Sequence, residues 1–553
     1  MSRPAFRNDP HDFLTEALGG LVAALPVTWH DSGFVSVAEP PEQVGVISGG
    51  GSGHEPLHTG FVGGGMLTAA CPGLIFTSPN AVQITAATRW ADSGRGVVHI
   101  VKNYTGDVMN FRVARDTVAA DGIDTGVVLV DDDVATDPTK STESTDGPGR
   151  RGTGATAFVE KICGAAAARG DDLAAVVEVG RRVAAGSRSL AVALGSGRLP
   201  TTGVDTFDLD EGSLELGAGI HGEPGIDRMA VTDAAAIVER LLDEVCSSLG
   251  LGSGERVALL VNGLGATHDL ELALVLGQAL EQLARRSITV ERAVLGTVVT
   301  ALDTPGCSIT LTRVDDELLE LFDAPTSAPA WPRSIAVRPE YSPARTTFDD
   351  AMPTGAEIPW LTRFVERVMA DLDALTDLDR TAGDGDFGTN MEAALGEVET
   401  PLGGEEWAVM AALADRFLVR AGGTSGAVFG TLFRELARAF DESSGTEALA
   451  VGLERAGDAI GDLGGAKVGD RTMLDALVPA AQAARQAAQS GTSLEEALTS
   501  VHEAAVEGAR STRDLTAQKG RASYRGDAAK GVPDPGAIVV ARLFGDDDGV
   551  EDF

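Results

Sequence analysis

The sequence predicts an α/β domain followed by an all-α domain, and three observations support this division. Short apolar runs alternate with helix-like segments through the first 325 residues, often across glycine-rich turns, which is typical of an α/β fold. Beyond Gly355 the strand patterns stop, and segments rich in alanine, leucine and acidic residues favour helices. Five prolines between residues 324 and 345 indicate a semi-extended linker between the two domains.

The individual elements follow from the period of the apolar residues. Strands are predicted at 44–47, 97–101, 126–130, 191–194, 257–261, 290–298 and 309–314. Helices are predicted at 357–376, 405–420, 427–440, 444–461, 472–489 and 494–512, and another begins near residue 536. The expected domains are residues 1–330 and 356–553, joined by a linker at 331–355.

Composition limits the class of protein. With 553 residues the chain is too long for one hydrophobic core. The formal net charge of −38 argues against binding to nucleic acids or anionic membranes, although a local cation still allows an anionic substrate. The four cysteines form no CxxC pair and no stretch is apolar enough to span a bilayer. We therefore expect a cytoplasmic protein without a zinc site or a disulfide framework.

The most informative stretch is T-D-L-D-R-T-A-G-D-G-D-F-G-T-N-M, in which Asp379, Asp384 and Asp386 fall within eight positions after an amphipathic helix. Carboxylates crowded at a helix C-terminus repel one another and oppose the helix dipole, so a cation is expected to hold them together. Hard oxygen ligands suit Mg²⁺ in the company of substrate phosphates and water. An acidic, solvated turn is the alternative, because Asp and Gly are also common turn residues.

A glycine-rich loop, V-I-S-G-G-G-S-G-H-E-P, follows a predicted strand and presents His54. It is not a dinucleotide-binding fingerprint, because Pro56 stands where the third glycine is needed and no acidic residue closes a second strand. No G-x-x-x-x-G-K-[ST] motif occurs in the sequence either. The loop favours a small molecule lying against backbone N–H groups, with a hydrogen-bonded structural histidine as the alternative.

The segment K-N-Y-T-G-D ends another predicted strand and carries Lys102 and Asp107. In open α/β sheets the carboxyl ends of the strands form the binding crevice, so both side chains are well placed for a substrate. Asp107 is either a general base for a hydroxyl group or the cap of a helix that starts near Val108.

The segment G-I-H-G-E-P-G-I places His221 in a loop bounded by glycine and proline, with Glu223 as its partner. Its H-G-E-P resembles the G-H-E-P that contains His54. This likeness suggests that the two loops face one pocket.

In the second domain, A-G-G-T-S-G opens a predicted helix with backbone and hydroxyl donors, including those of Thr424 and Ser425. Helix N-termini preceded by such loops bind phosphate, and an ordinary helix cap is the alternative. The aspartate cluster of the same domain favours a nucleotide, because carboxylates hold Mg²⁺ while a helix N-terminus takes phosphate oxygens. Lys519 and Arg521 supply further positive charge.

Together these motifs resemble the dihydroxyacetone kinase family in its fused, ATP-dependent form. The first domain resembles the ketone-binding K domain through I-S-G-G-G-S-G-H-E-P, A-C-P-G-L-I-F-T-S-P, K-N-Y-T-G-D and H-G-E-P-G-I-D-R. The second resembles the nucleotide-binding L domain through G-D-G-D-F-G-T-N-M, G-G-T-S-G-A-V-F-G, V-G-D-R-T-M, K-G-R-A-S-Y-R-G and D-P-G-A. The resemblance implies a K domain of two α/β subdomains, an L domain that is a helical barrel with the nucleotide at one end, and a homodimer.

The resemblance also implies roles at the ketone site. His221 would bind the substrate covalently, its imidazole adding to the ketone carbonyl to give a hemiaminal, which selects carbonyl compounds over glycerol. His54 and Asp107 would orient the attacking hydroxyl and handle its proton. The other substrate contacts implied are Gly51, Ser52, Gly53 and Lys102.

For the nucleotide, the resemblance implies that Asp379, Asp384 and Asp386 chelate two Mg²⁺ ions that bridge the ATP phosphates. Phe387 stands where some relatives have His or Cys, which affects the fine contacts to the nucleotide rather than the metal ligands. A K and an L domain in one chain favour ATP, rather than a phosphocarrier protein, as the phosphoryl source. The nucleotide contacts implied are Phe387, Gly388, Thr389, Asn390, Thr424, Ser425, Gly464, Met473, Arg521, Asp534, Pro535 and Gly536.

The expected reaction is phosphorylation of dihydroxyacetone, with a four-carbon ketose such as erythrulose as the nearest alternative substrate. Some relatives also cyclise FAD with the same metal and nucleotide site. A non-catalytic binding protein is the alternative from another class, and the presence of His54, Asp107, His221 and the three aspartates argues against it. A nicotinamide dehydrogenase is disfavoured by the missing fingerprint. The sequence leaves open whether phosphoryl transfer occurs within one chain or between chains of a dimer.

Overall fold

The computed structural model describes residues 6–137, 149–223, 225–332, 335–336, 348, 351–383, 385–519, 523, 530–545 and 549–553. Contacts divide the chain into two compact units, Met1–Ala344 and Arg345–Phe553. Most of the predicted linker lies outside the described residues, so the domain boundaries remain a prediction.

The first unit contains a mainly parallel six-stranded sheet. Its strands lie in the order β1-β2-β4-β3-β5-β6, in which β4, β3, β5 and β6 run parallel and β1 and β2 form an antiparallel edge. The strands are β1 Thr28–His30, β2 Phe34–Ser36, β3 Gly45–Ser52, β4 Ala69–Ile75, β5 Val97–Lys102 and β6 Thr125–Val130.

A second sheet of seven strands follows in the order β13-β11-β10-β12-β7-β8-β9. Only β10 and β11 pair in parallel, and the other pairs are antiparallel. The strands are β7 Ser187–Ala193, β8 Ser213–Leu216, β9 Asp227–Ala230, β10 Arg256–Gly263, β11 Thr289–Gly296, β12 Gly306–Arg313 and β13 Ile335–Ala336.

Helices separate and cover the two sheets. Side chains of α2 and α3 pack on one face of the first sheet, α4 and α5 pack on its other face, and α6 and α7 cover the far face of the second sheet. In β5, Val97 and Val101 face α2 and α3 whereas Val98 and Ile100 face α4 and α5. Both faces of this strand are therefore buried, as expected in a parallel sheet. The helices are α1 Phe13–Ala24, α2 Ala81–Ala91, α3 Thr105–Ala119, α4 Ala155–Arg169, α5 Leu173–Ala185, α6 Ala234–Leu249, α7 Asp269–Arg285 and α8 Asp316–Asp323.

In the described part of the second unit, all the regular elements are helices. Helices α11 to α17 pack each on the next in chain order, α17 packs against α9, and α9 packs against α11, so that the ring closes around one hydrophobic core. The helices are α9 Pro359–Ala370, α10 Leu372–Ala382, α11 Phe387–Leu395, α12 Glu406–Arg420, α13 Gly423–Glu442, α14 Gly445–Gly464, α15 Leu474–Gln489, α16 Leu494–Ser511 and α17 Pro535–Arg542. The predicted fold class, α/β followed by a helical barrel, is confirmed.

The seven predicted strands are present with shifted ends, but the sequence patterns did not predict six further strands: β1, β2, β4, β8, β9 and β13. Four of these have only three or four residues and β13 has two, and β9 is exposed along most of its length. The sequence of β4, A-A-C-P-G-L-I, contains Pro72 and Gly73, which disguise a strand.

Three helix predictions in the second unit were wrong in detail. The helix predicted at 357–376 is two helices, because the chain breaks at Asp371, whose carboxylate accepts hydrogen bonds from Arg367 and Arg542. As α10 continues to Ala382, Asp379 lies within its last turn rather than after a helix. Helix α11 was not predicted at all, and α13 begins at Gly423, four residues before its predicted start.

Two expectations from composition can be compared with the structure. In the part of the chain that the structure describes, no helix is long and apolar enough to cross a membrane. The four cysteines are buried and carry free thiols.

Candidate active site

Two loops of the first unit bring a pair of histidines together. His54 follows β3, and His221 lies between β8 and β9. Their rings are 4.7 Å apart between centroids, at an interplanar angle of 73°. The loops therefore meet at one place, as the likeness of their sequences predicted.

The ring of His221 is held on several sides. Tyr104 and Phe76 contact it edge-on, with centroids 4.6 and 5.4 Å away. Its Nδ1 lies 3.1 Å from Oε1 of Glu223, and its backbone N–H donates to Oε2 of the same carboxylate at 3.0 Å. Because an ionised carboxylate only accepts hydrogen bonds, Nδ1 of His221 donates to Glu223, and Nε2 is the ring nitrogen that Glu223 does not engage.

Glu223 is itself fixed by a charged partner. Arg151 lies 3.8 Å from its Oε2 and also pairs with Asp133 at 2.6 Å. Burial alone would raise the pKa of Glu223, but the hydrogen bond and charge of His221 and the charge of Arg151 lower this pKa to about 2. Gly219 must lack a side chain, because a Cβ there would lie 2.0 Å from the Glu223 carboxylate. The carboxylate is therefore anionic and firmly placed against His221.

His54 is completely buried and presents an acceptor. Its Nδ1 lies 2.8 Å from the carbonyl oxygen of Thr300, to which it must donate. Burial, followed by the charges of Lys102 and His221, holds the pKa of His54 well below its ordinary value, so the ring is neutral. Its Nε2 is then an acceptor, and this atom is buried without a hydrogen-bond partner among the described residues.

Asp107 is a second buried acceptor. Helix α3 begins at Thr105, so Asp107 lies inside the first turn and is not the cap that the sequence allowed as an alternative. Burial raises the pKa of Asp107, and the charge of Lys102 and a hydrogen bond with Ser78 offset part of this rise. Within the described chain, its Oδ1 is buried and has no partner.

Lys102, at the end of β5, leads into a buried polar chain behind the glycine loop. Its Nζ lies 3.1 Å from Nε2 of His58, whose Nδ1 lies 2.5 Å from Oε1 of Glu160. Burial lowers the pKa of Lys102 and raises that of Glu160 to about 8. A Cβ on Gly50 would lie 2.0 Å from Nζ of Lys102, so glycine at this position leaves room for the amino group of Lys102.

The glycine loop packs against the segment that follows β4. A Cβ on Gly51 would lie 2.6 Å from the backbone nitrogen of Thr77, and Gly53 has a φ of +105°. Ser52 donates its hydroxyl hydrogen to the carbonyl oxygen of Gly73 at 2.7 Å. These residues therefore shape the backbone beside the histidines.

The sequence interpretation missed Tyr104 within K-N-Y-T-G-D. Its hydroxyl is buried without a partner among the described residues, and its ring contacts His221. Burial and the nearby carboxylate of Glu223 raise the pKa of Tyr104 well above its ordinary value, so it remains a donor. Because a tyrosine hydroxyl ordinarily titrates far above neutral pH, Tyr104 did not stand out in the sequence as a candidate acid or base.

The second unit contains a separate cavity of about 350 Å³ at one end of the helical ring, within the range of small-molecule sites. Its walls combine carboxylates, cations, hydroxyls and apolar side chains. The lining residues are Asp379, Asp386, Phe387, Asn390, Thr424, Ser425, Val428, Phe429, Ile460, Gly464, Ala466, Arg471, Thr472, Met473, Lys519, Asp534, Pro535 and Gly536.

Four helices begin at this cavity. Asp386, Gly422, Met473 and Asp534 are the N-cap residues of α11, α13, α15 and α17, and each of these helices has its cap or its first turn in the cavity wall. Unpaired N–H groups and the helix dipole give each N-terminus a partial positive charge. Helix α13 has no side-chain cap, because its N-cap is a glycine. The cavity thus suits phosphate, although the chain as a whole is strongly acidic.

Two of the three predicted metal ligands, Asp379 and Asp386, line this cavity, and Asp384 lies outside the described residues. Oδ2 of Asp379 accepts a hydrogen bond from the backbone N–H of Phe387 at 3.2 Å, which ties the end of α10 to the start of α11. In the described ranges no group of three His, Cys, Asp or Glu side chains is arranged to hold a metal. The two carboxylates fit Mg²⁺ that is shared with phosphate oxygens, because Mg²⁺ commonly takes only one or two protein carboxylates.

Most predicted nucleotide contacts lie in the cavity wall, and three do not. Gly388 and Thr389 are absent from the wall, and Arg521 lies outside the described residues. Gly388 has a packing role, because a Cβ there would lie 1.9 Å from Oγ1 of Thr376 on α10. Sequence reasoning missed the wall residues Val428, Phe429, Ile460, Ala466, Arg471 and Thr472.

Comparison with known proteins agrees with both units. Residues 20–330 match the Dak1 domain family and residues 381–546 match the DAK2 domain family. The chain is 37% identical to L-erythrulose 1-kinase of Mycolicibacterium smegmatis, over 97% of this chain and 98% of that protein. It is 36% identical to the human triokinase/FMN cyclase, over 96% of each chain.

A solved structure is similar over the same extent. The dihydroxyacetone kinase of C. freundii in complex with AMP-PNP and Mg²⁺ is 29% identical, covers 98% of each chain and has a TM-score of 0.61. With both domain families present in order and relatives aligned along nearly the whole chain, this protein belongs to the fused dihydroxyacetone kinase family.

Proposed function

We propose that this chain transfers the γ-phosphoryl group of ATP to a primary hydroxyl group of a short-chain ketose, most simply dihydroxyacetone. The observation that carries the proposal is the meeting of His221 and His54 in the first unit. Nε2 of His221 offers a nucleophile there, beside buried acceptors that have no partner among the described residues. A carbonyl flanked by hydroxyl groups matches that arrangement.

The unpartnered acceptors indicate what the ligand must offer. Nε2 of His54 and Oδ1 of Asp107 are buried and have no partners in the described part of the chain, and each such group costs about 1–3 kcal/mol if it stays unsatisfied. Two hydroxyl hydrogens would satisfy both. Dihydroxyacetone carries a hydroxyl group on each side of its carbonyl, and erythrulose retains the same pair. The site therefore favours the ketose core common to both substrates.

Capture of the carbonyl rests on the pairing of His221 with Glu223. As Nε2 adds to the carbonyl carbon, the ring loses a proton and the carbonyl oxygen gains one, so that a hemiaminal forms without any co-reactant. The anionic Glu223 stabilises the positive charge that develops on the ring. The buried hydroxyl of Tyr104 is a donor beside the ring and suits the oxygen of the captured carbonyl.

Phosphoryl transfer then needs a hydroxyl oxygen that is oriented and relieved of its proton. Asp107 has a raised pKa, which makes it a better proton acceptor than an ordinary carboxylate, and His54 is neutral and orients the second hydroxyl. In the second unit, Asp379 and Asp386 would hold Mg²⁺, which neutralises charge on the transferring phosphoryl group when bound. The N-terminus of α13, with Thr424 and Ser425, would hold phosphate oxygens.

A coupled assay of ADP release tests the proposal across dihydroxyacetone, glyceraldehyde and both enantiomers of erythrulose. We expect ATP-dependent turnover with dihydroxyacetone as the preferred substrate. A strong preference for an erythrulose enantiomer would replace this substrate with the second candidate, which the 37% identity to an L-erythrulose kinase favours. No turnover with any of the four would contradict the kinase proposal itself.

The ketone and nucleotide sites belong to different units, so the route of transfer needs its own test. In a homodimer the phosphoryl group can pass within one chain or between chains. Mixing an Asp384→Ala protein with a His221→Ala protein decides between them: restored activity indicates transfer between chains, and continued inactivity indicates transfer within one chain.

A further inference from the structure

The guanidinium of Arg471 is buried in the wall of the nucleotide cavity, on the loop between α14 and α15. The residue is only 2% exposed. Its Nη2 donates to the carbonyl oxygen of Val532 at 2.8 Å. Its Nε and Nη1 are buried and find no hydrogen-bond partner among the described residues. Such orphaned donors are rare in folded proteins, especially on a charged group.

The loop is arranged to keep Arg471 in this position. Arg471 has a φ of +61°, a left-handed conformation that is unfavourable for a residue with a branched or long side chain. The carboxylate of Asp475 accepts hydrogen bonds from the backbone N–H groups of Gly469 at 2.6 Å and Thr472 at 2.8 Å, on either side of Arg471. Strain of this kind persists where the surroundings fix it, and it clusters at ligand sites.

Among the described residues, no carboxylate forms a direct ion pair with Arg471. Asp534 attracts it, but the carboxylate of Asp534 already caps α17 by accepting the N–H of Ala537 at 2.9 Å. Asp379 acts electrostatically on Asp534, so the predicted metal ligand and the buried cation lie at the same end of the cavity. That end is where the phosphates of a nucleotide held by Mg²⁺ would lie.

We infer that Arg471 donates hydrogen bonds from Nε and Nη1 to phosphate oxygens of the bound nucleotide, an inference that rests on the proposed kinase function. A phosphate group supplies a negative charge and the hydrogen-bond acceptors that Nε and Nη1 do not find among the described residues. The base and ribose offer neutral acceptors only. Arg471 is thus a phosphate-binding residue in addition to those that the sequence motifs indicated.

The test compares Arg471→Gln and Arg471→Lys with a matched control, Arg542→Lys, in the full chain. Arg542 is equally buried in the second unit, but it pairs with Asp371 at 2.8 Å and does not line the cavity. Calorimetry with Mg²⁺ measures the affinity for ATP, AMP and adenosine, and thermal unfolding is followed with and without ATP.

We expect Arg471→Gln to weaken the affinity for ATP at least tenfold and the affinity for adenosine less than twofold. The affinity of Arg471→Lys for ATP should lie between those of the wild type and Arg471→Gln. Because Nε and Nη1 of Arg471 have no partners in the part of the chain that the structure describes, the unfolding temperature without nucleotide should not fall in Arg471→Gln, whereas the stabilisation by ATP should shrink. Arg542→Lys should leave the affinity for ATP unchanged.

Three results would overturn the inference. They are an unchanged affinity of Arg471→Gln for ATP, an equal loss for ATP and adenosine, and a fall in the unfolding temperature of both Arg471 variants that leaves the gain from ATP intact. If the wild-type chain turns over ATP with a ketose and the variants give any of these results, the proposed function stands and this inference is wrong. If the wild-type chain does not bind ATP, the proposed function and this inference are both wrong.

Discussion

The proposed ketone site of the first unit and the proposed nucleotide cavity of the second unit differ in which parts of the chain would contact their ligands. At the ketone site, the groups available to the ligand are side chains. Those of His221, His54 and Asp107 are fixed by buried hydrogen bonds and ring contacts. In the cavity, four helix N-termini supply backbone donors, and carboxylates stand among them. The first site should therefore be sensitive to single side chains, and the second should tolerate many such changes outside its charged residues.

The largest effect should come from removing one charged or nucleophilic group at each site. We expect His221→Ala to reduce turnover on the order of 10³-fold or more, because the carbonyl is no longer captured, while ATP still binds. Asp379→Asn should reduce turnover on the order of 10²–10³-fold, because charge on the transferring group is less well neutralised, while the ketone still binds. Steady-state kinetics and calorimetry with each ligand measure these effects. Loss of ATP binding in His221→Ala would show that the two sites are not separable in this way.

A smaller loss should follow from Glu223→Gln, which preserves shape and removes the negative charge beside His221. The amide cannot stabilise positive charge on the ring, so we expect roughly a 10- to 100-fold loss, which corresponds to about 1.4–2.7 kcal/mol. The loss should appear mainly in KM for the ketose, with KM for ATP unchanged. A matched Glu317→Gln change, at an exposed ion pair with Arg182, should leave both constants unchanged. An equal rise in both KM values would indicate a general disturbance rather than a role beside His221.

At the nucleotide cavity, loss of a hydroxyl group should matter less. Ser425→Ala keeps the backbone N–H in the first turn of α13, which we regard as the main donor to phosphate. We expect at most about a tenfold rise in KM for ATP, because a single neutral hydrogen bond contributes about 0.5–1.5 kcal/mol. Steady-state kinetics at saturating ketose measures this. A loss of a hundredfold or more would mean that the hydroxyl groups, and not the helix N-terminus, dominate phosphate binding.

The smallest effect concerns stability, behind the ketone site. The carboxyl group of Glu160 has a folded-state pKa of about 8, raised by burial from its ordinary value of 4.5. Between these two values the folded state holds more protons than the unfolded state, so this group lowers stability as pH rises through the window and has no further effect above it. We expect Glu160→Gln to remove this part of the pH dependence, measured as the difference in urea unfolding midpoints between pH 5 and pH 9. If the midpoint changes equally between pH 5 and pH 9 in both proteins, Glu160 is ionised throughout this range in the folded state.

The sequence predicted the fold class and most of the strands because apolar periodicity carries that information directly. It did not predict the break at Asp371, since the apolar stripe continues in phase through both helices and one of the two arginines that bind Asp371 lies far away in the sequence, on α17. Pro72 and Gly73 concealed β4 for the opposite reason, because their local preferences oppose a strand that the sheet nevertheless contains.

The histidines and carboxylates of the site stood out in the sequence because they are titratable and lie in glycine-rich loops. Tyr104 and Arg471 did not, because their proposed roles rest on buried polar atoms without partners among the described residues, which only the folded structure reveals. Similarly, the sequence indicated one helix N-terminus for phosphate, whereas the assembly of four at one cavity depends on how the helices close into a ring. Residues that act through tertiary placement leave little local signal.

The capture of the ketone by a histidine, independently of the nucleotide site, is tested most directly by ¹³C NMR of dihydroxyacetone labelled at its carbonyl carbon. The spectrum is recorded with the wild-type chain, with Asp379→Asn and with His221→Ala. We expect the bound label to change from a ketone to a tetrahedral carbon signal in the first two proteins and not in His221→Ala. A bound ketone signal that persists in the wild type, or a tetrahedral signal in His221→Ala, would contradict the account.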